Sequence, residues 1–190
     1  MKVQPGSIAP ALMGAADQHG HPVSLGDAAG KHVLLVFLRY ASCPMCLLHI
    51  RELSRRHREL ASAGIDVIAV FHSPPRRIAR HTARMALPFR VIANPGFTLY
   101  KQYGVVSSWL RLAASVFAPS FYAGFVHAAM LGFWGGAVDG DAARMPADFL
   151  IGPDGTVLAS HYGRGIDDHL SVDAVLQIAG TLTPAVAEVA

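Results

Sequence analysis

Two cysteines in 190 residues are too few to staple a domain together with disulfides. Charged side chains are also scarce, at 15% against 52% hydrophobic, a balance that excludes intrinsic disorder. The 16 Lys and Arg exceed the 13 Asp and Glu by a formal +3, dispersed rather than clustered, so the charge does not describe a nucleic-acid binder. The opening Met1-Lys2-Val3-Gln4-Pro5-Gly6 lacks the apolar stretch of a secretory signal. Internal repeats and low-complexity linkers are absent too, and one domain over 1–190 is expected. A long apolar run does occur: residues 112–138 contain no Asp, Glu, Lys or Arg. Pro119, Gly124, His127, Gly132, Gly135 and Gly136 interrupt it, and membrane contact is not the leading expectation.

What is present reads as alternating strands and helices. Val33 to Leu38 is a continuous, β-branched-rich apolar run of the kind a strand buried on both faces requires. Pro44 suits the first turn of a helix that runs to about Ala63, with Leu47, Ile50, Leu53 and Leu60 as its apolar stripe. Ile65 to Phe71 is a second buried strand, Pro74–Pro75 opens a short basic helix to about Met85, and residues 89–93 form a third strand before the Asn94-Pro95-Gly96 turn. A short helix from Phe97 ends at Gly104. Residues 149–158 read as a hairpin around Asp154-Gly155, and Val172 to Ala179 as a last helix.

Cys43 and Cys46 stand two residues apart where the first strand gives way to its helix. A helix N-terminus carries roughly half a positive charge and free N–H groups, which favour a thiolate at the first cysteine. One helical turn brings the second sulfur within reach of a mixed disulfide or sulfenic acid formed on the first. A metal site would need two further soft ligands, and His49, His19 and His21 show no spacing that unites them with the cysteines, so no metal is assigned. Leu47 stands where haem attachment needs histidine.

The chain resembles the AhpC/TSA peroxiredoxin and redoxin family on the thioredoxin fold. Gly6-Ser7-Ile8-Ala9-Pro10 is similar to the family's opening Gly-x-x-Ala-Pro. Asp17 to Leu25, Gly30-Lys31, Asn94-Pro95 and Tyr103-Gly104-Val105 match its later segments, and Arg39 fits its Arg-x-x-x-Cys-x-x-Cys pattern. The resemblance implies an α/β, thioredoxin-like fold and covers the chain apart from about Ser107 to Arg144, an apolar helical insertion. Two departures are visible. Tyr40 replaces the Thr or Ser that orients peroxide, and Met145-Pro146 stands where peroxiredoxins carry an arginine, resembling the cis-proline of disulfide reductases. Such a proline presents a backbone edge to a bound thiol or peptide, and Pro146, Met145 and Pro44 are the expected substrate contacts.

Arg39 is the candidate to stabilise the Cys43 thiolate and polarise a peroxide, or else a strand-end arginine reaching solvent. Tyr40 is a donor to sulfur or a packing ring, and Ser42 a helix cap. Arg76, Arg80 and Arg84 form a basic stripe that could dock an acidic reductant or simply face water. His161, Tyr162, Arg164, Asp168 and His169 cluster after the hairpin and either contact the site or cap the last helix. The insertion, with Trp109 and Trp134, reads as a subunit interface giving a homodimer, a lid over an apolar pocket, or a membrane-surface contact.

The expected activity is a cytoplasmic thiol-dependent oxidoreductase without a cofactor. Cys43 reduces a hydroperoxide, Cys46 resolves it, and a thioredoxin- or glutathione-type thiol regenerates the pair. The alternatives are a thiol-disulfide reductase and a redox-gated interaction module.

Overall fold

The apolar run from Val33 becomes the middle of a five-stranded sheet. The computed structural model describes residues 1–28 and 30–182, so Ala29 and residues 183–190 of the expected domain lie outside the described residues. Strand β1 (His32–Phe37) lies between β2 (Ile65–Phe71) and β4 (Ala147–Ile151), with β3 (Arg90–Ala93) and β5 (Val157–Tyr162) at the edges, in the order β3-β2-β1-β4-β5. β1, β2 and β3 run parallel, whereas β4 is antiparallel to β1 and β5 to β4.

Strand alternation divides the core in two. Leu34, Val36 and Leu38 face one layer, built with α1 (Pro44–Arg55), α2 (His57–Ser62), α3 (Pro75–Thr82) and α7 (Val172–Leu182). Val33, Leu35 and Phe37 face the other, where Leu99 and Tyr100 of α4 (Thr98–Gln102) pack with Tyr103 and the N-terminal segment. Each large aliphatic side chain buried here contributes roughly 1.5–3 kcal/mol of transfer free energy. Tyr100 ties this second layer to the sheet: its hydroxyl lies 2.7 Å from the carbonyl of Leu38 and 2.9 Å from that of Val70.

The single helix expected from 44 to 63 is two. It breaks at Arg56, where φ −96° and ψ 10° depart from helical values. The Arg56 guanidinium lies 2.6 Å from both Glu59 and Asp173, so the break joins α2 to the start of α7. The mixed sheet with helices on both faces is the thioredoxin-like architecture expected.

The insertion is closed at its base by a bridge between Ser107 and Arg144. It holds α5 (Trp109–Phe117) and α6 (Pro119–Met130), then returns without regular structure over 131–143. Gly124 lets α6 approach α1 closely, since a Cβ there would lie 3.0 Å from the Met45 sulfur. Trp109, Leu110, Phe117, Tyr122, Met130 and Trp134 remain exposed. Among the described residues no single helix is long and apolar enough to cross a membrane, and α5 and α6 reach that length only as a pair bent by 76°.

Candidate active site

Both cysteines sit at the start of α1, free and buried. Cys43 is the residue that precedes the first helical turn, and Pro44 occupies that turn, where its missing N–H leaves nothing unpaired. Arg39 leaves the end of β1 and turns inward. Its Nη1 lies 3.5 Å from Cys43 Sγ, its backbone N–H donates to Cys46 Sγ at 3.4 Å, and its Nη2 donates to the carbonyl of Ala142. Only 3% of Arg39 is exposed, which settles the direction the sequence left open: the guanidinium faces the dithiol.

The two thiols are made unequal by this arrangement. Hydrogen bonding from Cys46 is the main cause that brings Cys43 down to about 6, against the opposing effect of burial. The Arg39 charge and the amides of Cys46 and Met45 act in the same downward direction. Burial, followed by the adjoining Cys43, pushes Cys46 up well above the ordinary thiol range. One sulfur is therefore a thiolate near neutral pH and the other a thiol. A nucleophile and a resolving proton donor need that asymmetry.

Tyr40 supplies packing rather than a hydroxyl contact. Its ring centroid lies 5.1 Å from the Arg39 guanidinium carbon and 6.2 Å from the His72 ring, and its backbone carbonyl accepts from Cys43 N–H. Ser42 does not cap the helix, because the chain enters α1 one residue later, at Cys43. Its hydroxyl instead donates to the Ala137 carbonyl at 3.0 Å.

That bond belongs to a set the sequence reading missed. The returning segment 131–143 lies over the dithiol as a strap. Arg77 donates to the Ala137 carbonyl and to Asp139, Ser73 donates to Asp139 at 2.8 Å, and Ala142 receives Arg39. Gly140, at φ +125°, approaches His72 so closely that a Cβ would lie 2.6 Å from its Nδ1. His72 is 1% exposed, with neither ring nitrogen hydrogen-bonded, and burial together with Arg144 lowers it to about 4, so it is neutral. The Gly135-Gly136 pair and the Asp139-Gly140 turn were the only signals in the sequence that backbone passes close to something here.

Two substrate expectations change. The Met145–Pro146 peptide is trans, since no cis peptide occurs among the described residues. The backbone edge expected to receive substrate is also used internally: Met145 N–H donates to the Val106 carbonyl and the Pro146 carbonyl accepts from Gly163 N–H. Val106 and Gly163 thus take the Met145 amide and the Pro146 carbonyl. Pro146 lies one residue before Ala147, the partner of Phe37 at the end of β1, so it remains at the same end of the sheet as the dithiol.

The cluster after the hairpin serves mostly the scaffold. His161 lies 2.9 Å from Asp168, which also accepts from the Arg164 amide, and the Tyr162 hydroxyl bonds Val3 and Tyr103. His169 contacts neither cysteine and pairs instead with Asp148, a residue without any local signal. Arg76 and Arg80 on α3 and Arg84 in the turn after it are exposed, so the expected stripe is not carried by one helix, and only Arg77 beside them turns toward the site.

Comparison with known proteins bears on the family and the fold. The chain is 22% identical to Peroxiredoxin-like 2C of Bos taurus over 185 residues, covering 93% of this chain and 81% of that protein. It is 31% identical to Peroxiredoxin Bcp of Escherichia coli over 100 residues, 53% of this chain and 64% of that one. The crystal structure of peroxidoxin BcpB from Mycobacterium tuberculosis superposes with a TM-score of 0.70 at 16% identity, covering 96% of this chain and 99% of the other, which shows the shared fold. The AhpC/TSA family model matches residues 5–160. The chain belongs to the AhpC/TSA family and is a thiol-dependent oxidoreductase of peroxiredoxin-like type.

Proposed function

We propose that the protein reduces hydroperoxides through Cys43 and Cys46. The observation that carries this reading is the Arg39 guanidinium at 3.5 Å from a Cys43 sulfur whose pKa is about 6, beside a Cys46 thiol that stays protonated. The Cys43 thiolate attacks the terminal oxygen of ROOH, the O–O bond breaks, and a proton completes the departing alcohol or water. Arg39 stabilises the charge that develops on the oxygens, the role left vacant where the family's arginine is replaced by Met145-Pro146. The Cys43 sulfenic acid then condenses with Cys46, losing water and forming the Cys43–Cys46 disulfide. Two electrons from a thioredoxin- or glutathione-type dithiol or thiol pair return it to the starting state.

The buried dithiol adds a requirement. With Cys43 1% exposed beneath the strap, a substrate reaches it when the 131–143 segment lifts, or only as a molecule small enough to pass. The exposed aromatic face of the insertion supports a second copy of the chain as its cover. The test of the chemistry is a Cys46→Ser chain treated with one equivalent of peroxide. A sulfenic acid trapped by a dione reagent at Cys43 supports the reading, and an unmodified Cys43 with full thiol titre contradicts it.

A further inference from the structure

Away from the dithiol, the outer face of α1 borders a cavity of about 640 Å³. Three of the ten histidines line it: His49 on α1, His127 on α6 and His169 in the loop before α7. Beneath them lies Asp148 of β4, whose side chain is 1% exposed, facing a His169 side chain that is 5% exposed. His169 Nδ1 lies 2.9 and 3.1 Å from the two Asp148 oxygens, and the Leu170 amide donates to the same carboxylate at 2.7 Å.

This pairing fixes the imidazole. A carboxylate accepts the Nδ1 proton, which leaves Nε2 as the free position. That atom is buried and has no hydrogen-bond partner. A histidine oriented by a carboxylate on one nitrogen and bare on the other is arranged as metal-binding histidines are. His49 supplies the second nitrogen. Its ring stacks on that of His169 at 3.8 Å and 8°, and it makes no side-chain hydrogen bond among the described residues. One ligand atom from each of His49, Asp148 and His169 falls within 4.8 Å of the others.

We propose that this cavity binds one divalent transition-metal ion of the zinc class, ligated by His169 Nε2 and His49, with Asp148 as the positioning carboxylate. Imidazole nitrogens select such an ion over magnesium or calcium, which prefer oxygen. Bond lengths of about 2.0–2.1 Å require the two nitrogens to converge on the ion. Parallel rings cannot aim two in-plane lone pairs at one point, so His49 turns out of the stack on binding. It is free to do so, being only partly buried at the cavity wall and held by no hydrogen bond among the described residues, whereas His169 is pinned. His127 on the α6 wall is a third nitrogen within the same cavity, and water fills the remaining positions. Positions 49, 148 and 169 share no local spacing, which is why the sequence assigned no metal.

The test uses the full chain carrying Cys43→Ser and Cys46→Ser, so that the thiols do not compete for metal. Zinc is titrated calorimetrically near neutral pH, and cobalt(II) is followed by its visible absorption. The expected result is one ion per chain, lost in His169→Ala, weakened about 100-fold or more in His49→Ala and about 10–100-fold in Asp148→Asn, and unchanged in His19→Ala/His21→Ala. Binding that survives His49→Ala at full affinity, or no binding at all, overturns the proposal. Should His169→Ala fail to fold, His49→Ala, which removes a partly buried ring that makes no hydrogen bond, decides the matter alone.

Discussion

The Ser42 hydroxyl donates to the carbonyl of Ala137, a residue 95 positions further along the chain. Through this contact the end of the insertion is fastened beside Cys43, so access to the dithiol depends on a segment that the family frame does not include. With Ser73, Arg77 and Asp139 the strap has its own side-chain latch.

Opening that latch should expose the nucleophile. Asp139→Ala removes the acceptor of both Ser73 and Arg77, and the expected outcome is several-fold faster alkylation of Cys43 with little change in its pH midpoint. Rates of iodoacetamide labelling at Cys43, measured by mass spectrometry across a pH series, check both halves.

Gly140→Ala acts on the same strap from the backbone. A methyl group would lie 2.6 Å from His72 Nδ1, and φ +125° is unfavourable for any side chain. Strain of this kind costs on the order of 1–3 kcal/mol. Chemical denaturation should show a loss in that range, or labelling should show a displaced strap at nearly unchanged stability. A variant with wild-type stability and wild-type labelling contradicts the packing described.

The pH dependence follows from Cys43. Its folded pKa of about 6 lies below the ordinary thiol value of 9.0, so it contributes stability that is fully present above 9 and is lost as pH falls through 6. Cys46, raised above that same value, stays protonated in the folded protein and opposes the gain only as pH nears 9, where the unfolded thiol begins to ionise. The reduced protein should therefore gain stability between pH 6 and 9, and thiolate absorbance should rise with a midpoint near 6. Arg39→Ala removes the nearby charge and should move that midpoint upward; an unchanged midpoint would deny Arg39 its electrostatic role.

Tyr100→Phe probes the support behind Arg39. The Tyr100 hydroxyl lies against the carbonyls of Leu38 and Val70 in the core; Val70 keeps the Leu38 N–H as a donor, but removal of the hydroxyl strips the Leu38 carbonyl of this partner, at a cost of about 1–3 kcal/mol. Denaturant titration should register that loss, and because Leu38 precedes Arg39, peroxide reactivity should fall as well.

Much of this was legible in the residues. The apolar run from Val33, the Cys43/Cys46 spacing and Pro44 at the helix start carry local information, and each element formed where its pattern placed it. Arg39 was found by its distance from Cys43 along the chain, though only the fold shows which way it turns. The strap was not legible, because Ala137, Asp139 and Gly140 reach Ser42, Ser73 and His72 across gaps of 60 residues or more with no periodicity to connect them. Asp148, and its pairing with His169, stayed hidden because no local pattern joins a strand carboxylate to a loop histidine until the fold is formed. At Pro146 the residue type alone does not say which backbone groups are engaged, because Val106, which takes the Met145 amide, lies far away in sequence.

The most direct test of the central claim is the second-order rate constant of the reduced protein with hydrogen peroxide, followed by thiol loss, beside Cys43→Ser and Cys46→Ser. The account predicts a constant far above that of a free thiol, abolished by Cys43→Ser and retained for the first turnover in Cys46→Ser. A constant no greater than that of a free thiol, or one that persists without Cys43, would contradict it.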